Sequence, residues 1–560
     1  MSTPNRNITK RKTHKTDVIL LLHAKCKLNG DVSLRHPFLL LFILCVLCAF
    51  VFDPTQNNFL SSNLLIFSIA LIALAVLAAL FFRAWLYPSQ NRKRSLSDHM
   101  ILALMIAGFL LRLFYILYTS VDTRQHDVFF FGQNGPITQF RYQRHAEYIE
   151  YICRYFRLPS TDPSQIGLSQ LYHPPLHHII AAIWLRIGMI FTPHYTRACE
   201  SIQFLTLFYS SCCMLICHRL FKTLGLNKLS LVIPMAIICF HPTLIIMAGS
   251  VNNDILSITF ALAAILAAVK WYKEPTLPKI LLTALLIGCS MMTKLSGALI
   301  APGIAILFLS RFFQDVKADR SNLFKYLKQF VLFAFLCVPL GLWWQVKNAV
   351  QFGLPITFVP SLGSNSGQYL GNYSVFQRLL ELPKESLQRI FMAWPDSYGS
   401  SYSEYNCLLA LLKTSVFGEF TLFYDQGASD AILSLGTTFS KMLFYANALL
   451  VLISIIGMAV CLIKKWYIIN GTVTAMLITV WGVVLLSYIK FCFEFPQTCT
   501  QNFRYAVPTM LVGVIFLGQT LRKMVELKKR SAKTVSIILC TTTFVFCFSS
   551  AAVYILLGIL

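Results

Sequence analysis

LYHPPLHHII, residues Leu171 to Ile180, opens an apolar run that by hydropathy alone reads as a membrane span over 174–192. Three histidines and an adjacent proline pair are poor company for a span, and whether it crosses decides the side on which every later loop falls. Pro174 and Pro175 suit the first turn of a helix, where missing N–H groups are no loss. Arg186 interrupts the run, and Arg, His and Trp184 together suit a helix lying in the membrane interface.

The rest of the chain weighs on the same choice. Fourteen apolar runs approach spanning length, near 37–52, 64–82, 100–118, 174–192, 200–218, 229–249, 254–270, 279–293, 297–313, 329–346, 442–463, 466–488, 504–521 and 534–558. Lys and Arg concentrate in cytoplasmic loops. The basic tail, from Arg6 to Arg35, and the cluster Arg83 and Arg92-Lys93-Arg94 therefore belong inside, and the span 100–118 delivers residue 119 outside. If 174–192 also crossed, five later basic loops would face outward, including Lys464-Lys465 and the run from Arg522 to Lys533. If it stays on the outer surface, all five return to the cytoplasm. The expectation is thirteen spans, with the N-terminus cytoplasmic and the C-terminus outside.

Composition agrees with this threading. Of 560 residues, 56% are hydrophobic and 13% charged, the balance of an all-α polytopic membrane protein. In a membrane protein Lys and Arg mark cytoplasmic loops, so the net charge of +25 gives no reason to invoke nucleic acid. The 17 cysteines lie mostly within apolar segments and read as small core residues. Cys492 and Cys499 are the exception, a disulfide candidate if their short polar loop meets an oxidising compartment. No cleavable signal is evident. The expected organisation is a cytoplasmic tail (1–36), two additional N-terminal spans (37–99) and a core (100–346) whose first outer loop covers 119–199. An outer loop or lid (347–440), rich in aromatics, and the C-terminal spans (441–560) complete it.

The outer face collects the chemically interesting residues. Asp127, flanked by His126, follows the span 100–118 and is the candidate general base; Asp122 is the second. In RHAEYIEYICRYF, His145, Ile149 and Ile152 fall at helical spacing, a helix lying on the bilayer with Glu147 and Glu150 in water. His173 stands where a helix cap belongs and His177 follows four residues on, so both imidazoles can reach one place. Together with Asp127 they could hold a metal, but hydrogen bonding or anion contact is the reading adopted, with no metal and no cofactor assigned. Asp254 heads an apolar helix, either as a functional acid or within an N-cap. Lys294 and Arg504, beside Tyr505, are isolated cations on the outer face that need a carboxylate or phosphate partner; lipid-headgroup contact is the plain alternative.

These residues resemble the GT-C superfamily of lipid-carrier-dependent glycosyltransferases, in the branch of protein O-mannosyltransferases and lipid A aminoarabinose transferases. The resemblance rests on Asp127, RHAEYI (144–149), YHPPL (172–176), the Asn253-Asp254 pair, TKLSG (293–297) and NFRYAVP (502–508), in order over residues 100–522. It implies a GT-C-type fold with outer-face juxtamembrane helices and an inverting transfer. The sugar would pass from a polyprenyl- or dolichyl-phosphate donor to a hydroxyl of a protein, lipid or glycan acceptor. By the same resemblance Asp127 is the base, Lys294 and Arg504 hold the carrier phosphate, His173 lies nearby and Asp254 shapes the site. His126, His177 and Tyr505 complete the candidate substrate contacts. Family members often carry an Asp-Glu pair where this chain has Asp127-Val128, and here FFFGQNGPITQF intervenes before RHAEYI, so Asp122 stays beside Asp127 as an alternative base. The membrane is the bacterial inner membrane or the endoplasmic reticulum; only in the latter is Asn372-Tyr-Ser a glycosylation site. A transporter or a flippase of lipid-linked sugars is the competing class.

Overall fold

A computed structural model describes residues 37–52, 64–86, 95–121, 144–165, 170–192, 194–361, 363–384, 404–419 and 430–559. Among these the regular structure is helical, and the one β contact recorded is an isolated bridge between Tyr369 and Gln497. The chain is an integral multi-pass membrane protein. Among the described residues ten helices are long and apolar enough to cross, or eleven when the bent pair Thr498–Tyr505 and Val507–Glu526 counts as one. The remaining two of the thirteen expected spans are helices as well, α1 (Pro37–Val51) and α11 (Leu277–Thr293), but have only 15 and 17 residues.

The chain runs through α2 (Leu64–Leu86), α3 (Leu96–Tyr118), α4 (His145–Tyr155), α5 (Leu176–Phe191), α6 (Tyr195–Glu200) and α7 (Ile202–Thr223). Next come α8 (Leu229–Phe240), α9 (Pro242–Gly249), α10 (Asp254–Lys273), α11, α12 (Ala301–Ala318) and α13 (Asn322–Phe352). The short α14 (Val375–Leu379) and α15 (Cys407–Phe417) precede α16 (Asp430–Ile463), α17 (Gly471–Glu494), α18 (Val507–Glu526) and α19 (Ala532–Ile559). α3 starts at a capping box in which the Ser95 hydroxyl accepts from the Asp98 N–H and the Asp98 carboxylate from the Ser95 N–H.

At the end of α3, the Ser120 hydroxyl and the Val121 N–H both donate to the Glu200 carboxylate, at 3.0 and 3.1 Å. Gln203 Nε2, at the start of α7, donates to the Thr119 carbonyl at 3.1 Å. A single crossing by α5 would hold these two helix ends apart by the ~30 Å of a bilayer core. The chain instead leaves and returns on one face. α5 buries His177, His178, Ala181, Ala182 and Leu185 against the protein, while Ile183, Ile187, Ile190 and Phe191 stay exposed on its other side. Its N-cap is Pro175 rather than His173, because the Pro175 carbonyl accepts the Ile179 N–H. Arg186 donates to the Cys153 carbonyl and covers the Phe156 ring, tying α5 to α4.

Other helix ends sort in the same way. Arg219 lies over the Trp85 ring, Lys273 Nζ donates to the Thr223 carbonyl, and Asn470 Nδ2 donates to the Tyr272 hydroxyl. The basic turns after α2, α7, α10 and α16 thus share one face. The opposite face holds the ends near residues 120, 200, 254, 294 and 504.

α8 and α9 form one span broken at His241-Pro242. Pro242 lacks the N–H that a continuous helix would direct to the Ile238 carbonyl. Arg112, fully buried on α3, supplies the missing donors: Nη2 to Ile238 O at 3.2 Å and Nη1 to Cys239 O at 2.5 Å. Its Nη1 also reaches Gly108 O and its Nε the Ser210 hydroxyl, each at 2.8 Å. Close approach requires Gly108, because a Cβ there would lie 2.8 Å from the Cys239 oxygen.

Candidate functional site

α10 and α11 pack side by side in opposite directions, so the start of one meets the end of the other. Asn253 is the N-cap of α10, its amide donating to the Thr293 carbonyl at 2.9 Å. Asn252 Oδ1 accepts the Asp254 N–H at 3.1 Å. One level below, the Ser257 hydroxyl donates to the Ser290 carbonyl at 3.1 Å. This register sets Asp254 against Lys294, whose ammonium donates to Asp254 Oδ1.

Arg504 arrives from a third direction, on the one-turn helix Phe503–Tyr505 that leads into α18. The Arg504 N–H donates to Asn502 Oδ1 at 2.9 Å, and the Phe503 N–H to the Thr414 hydroxyl of α15 at 3.0 Å. Its Nε lies 3.7 Å from Asp254 Oδ2, while Nη2 lies 3.3 Å from Glu419 Oε1 and 2.8 Å from the Tyr505 hydroxyl. The Tyr505 ring also carries the Lys294 ammonium 4.6 Å from its centroid. Two cations and two carboxylates thus form one chain, Lys294–Asp254–Arg504–Glu419, with side chains 3–13% exposed. Withdrawing charges from water costs more than such pairs usually return, so the cluster is poorly explained as a stabilising device.

A histidine group borders it. His145 Nδ1 and His178 Nε2 are 2.8 Å apart, and the His145 ring stacks on His173 with centroids 5.7 Å apart. His177 packs between His178 and Tyr209. Burial first, then the neighbouring imidazoles, holds His178 well below the usual imidazole range, and burial brings His177 down to about 3. Both rings are therefore neutral at pH 7 and contribute dipoles rather than charge. Among the described residues no group of three or more His, Cys, Asp or Glu side chains is arranged to hold a metal ion.

Asp254, Lys294, Arg504 and Tyr505 are in contact, with His173 and His177 in the adjoining group. Asp122, His126 and Asp127 lie outside the described residues. Cys492 and Cys499 are not bonded to each other; the Cys492 thiol points to the Thr500 carbonyl at 3.7 Å, a position fixed by the end of α17.

Sequence reading missed Glu419, the His145–His178 contact and a second buried ion pair. Lys413 Nζ donates to Glu404 Oε2 at 2.8 Å, and neither side chain is exposed to solvent. Burial pulls the Lys413 ammonium below its usual value, and the Glu404 carboxylate opposes that shift. The pair fixes α15, which through Thr414 and Glu419 holds the Arg504 turn. Lys413→Met leaves Glu404 buried without this cation and is expected to cost about 3–5 kcal/mol. Lys413→Met with Glu404→Gln should recover most of that. Thermal melts of the three proteins in detergent test this, and equal melting of the single and double variants would contradict it.

No protein-family model matches the chain, and no curated protein matches it. Among solved structures, the chain is similar to the archaeal oligosaccharyltransferase AglB from Archaeoglobus fulgidus in complex with an inhibitory peptide and a dolichol-phosphate. That match has 12% identity and a TM-score of 0.43, covering 81% of this chain and 56% of the other. The oligosaccharyltransferase of Archaeoglobus fulgidus in the apo form matches at 13% identity and TM-score 0.44, with the same coverage. ArnT from Cupriavidus metallidurans in the apo state matches at 13% and 0.31, over 76% of this chain and 78% of that one. The chain thus spans little more than half the length of the oligosaccharyltransferase it matches.

Proposed function

We propose that this protein is a membrane glycosyltransferase of the GT-C type, moving a sugar from a polyprenyl- or dolichyl-phosphate carrier to an acceptor hydroxyl with inversion. The observation that carries this reading is the gathering of Lys294 and Arg504 on the face opposite the basic loops, buried beside Asp254 and neutral histidines. Transfer from a lipid phosphate needs cations where the leaving oxygen gains charge. It also needs an acid-base group at the acceptor hydroxyl. Lys294 and Arg504 supply the first, with the planar guanidinium suited to two phosphate oxygens. Asp127, on the outer loop that ends at the RHAEYI helix, supplies the second. Asp254 keeps both cations in place, and His177 and His178 line the site without adding charge.

Arg504→Ala tests the donor assignment. The apparent KM for the lipid-phosphate donor is expected to rise on the order of 10²-fold, the loss of one buried charged contact, with acceptor KM little changed. Unchanged donor dependence would remove Arg504 from the phosphate site.

A further inference from the structure

The reading of Arg504 as a phosphate contact leaves one difficulty: the guanidinium is already engaged. Asp254 and Glu419 balance the charge of Lys294 and Arg504 among the described residues. The phosphodiester of a lipid-phosphate sugar brings one further negative charge, and the phosphomonoester of the released carrier between one and two at pH 7. Like charges in contact within a site shielded from water oppose binding by several kcal/mol. Displacing one of these two carboxylates removes that opposition when an anion enters.

The two carboxylates are not held alike. Asp254 sits in the first turn of a 20-residue helix, with Lys294 on one oxygen, Arg504 near the other and its own N–H fixed on Asn252. Glu419 lies two residues past the end of α15, directly after Gly418 at φ +65, where glycine permits backbone rotation that other residues resist. Its side chain is 12% exposed against 4% for Asp254. Its oxygen occupies the point where Arg504 Nη2, at 3.3 Å, and Asn502 Nδ2, at 2.8 Å, converge. Donors of that kind serve a phosphate oxygen as well as a carboxylate oxygen.

We infer that Glu419 is a stand-in for the carrier phosphate, occupying Arg504 and Asn502 in the donor-free protein and swinging away as the lipid phosphate takes the same two donors. This rests on the donor-site reading of Arg504 and adds a residue that sets donor affinity by competition. Glu419 keeps the site neutral and ordered while empty, and lowers the affinity for the released carrier as well as for the donor. It is a positioning residue, with no bond made or broken at its oxygen.

The test is binding of a polyprenyl monophosphate to the full-length protein in detergent, with the uncharged polyprenol of equal chain length as control. Glu419→Gln keeps an oxygen for Asn502 and loses the charge. It is expected to bind the monophosphate about tenfold more tightly than wild type, with polyprenol binding unchanged. Glu419→Ser, also uncharged, is the second variant should the glutamine protein not fold, and the same tightening is expected. Equal or weaker monophosphate binding in these variants, with wild type still preferring monophosphate over polyprenol and Arg504→Ala losing that preference, overturns the inference and leaves the donor site standing. A lower melting temperature with both ligands weakened together marks Glu419 as purely structural and also overturns it. Wild type that does not distinguish monophosphate from polyprenol removes the donor-site reading itself.

Discussion

Asp127→Asn is expected to lower sugar transfer by about 10²–10⁴-fold, the usual contribution of a positioned general base. The amide keeps the shape and hydrogen-bonding reach of the carboxylate but cannot take the acceptor proton. Asp254, held between Lys294 and Arg504, is not placed to take over that role. The loss should appear in kcat under saturating donor, with monophosphate binding retained and the protein still inserted. Asp122→Asn, five residues earlier, should leave most activity. The reverse pattern transfers the base role to Asp122, and wild-type rates in both variants sink the general-base assignment.

Arg112→Ala is expected to cause a large loss of folded protein. The guanidinium makes four hydrogen bonds inside the bundle, two of them to carbonyls at the His241-Pro242 break. Removing it relieves the cost of a buried cation, which favours the variant. Against that, the Ile238 and Cys239 carbonyls lose their donors where water is scarce, and a cavity replaces one of the largest fully buried side chains. The second group of effects is the larger, and a net cost of about 3–5 kcal/mol is a large share of the stability of a typical domain. Arg112→Lys retains a cation but offers three donors on a single nitrogen in place of the planar fork, so it should fare little better. Yield of monodisperse protein and its melting temperature measure this, and near-wild-type values for both variants would contradict the bracing role.

Much of the architecture was legible because charge sidedness and hydropathy act over whole segments. α5 was read as a surface helix from basic loops hundreds of residues away, and the Ser120–Glu200 contact agrees with that choice. Lys294 was flagged as a cation in need of a partner, and Asp254 is that partner. Which carboxylate and which cation meet is a tertiary matter, set by the antiparallel register of α10 and α11. Glu419 carries no local signal, since it follows a short helix within a long connection and gains meaning only where Arg504 arrives. Arg112 and Lys413 were readable by the rule that marked Arg186, a lone charge interrupting an apolar run, but they gain a role only through partners 126 and 9 residues distant. Asp122, His126 and Asp127 lie outside the described residues, so their part rests on sequence.

Mass analysis of lipids and proteins from cells that contain the wild-type chain, lack it, or carry Arg504→Ala or Asp127→Asn tests the central claim most directly. The predicted result is one hexose- or pentose-sized addition on an acceptor, present with wild type and absent from the cells lacking the chain. Arg504→Ala and Asp127→Asn should each reduce it strongly, with unconsumed lipid-phosphate donor accumulating. Identical acceptor populations in all four, with lipid-linked sugar merely redistributed between the two leaflets, would contradict a transferase and point to a flippase.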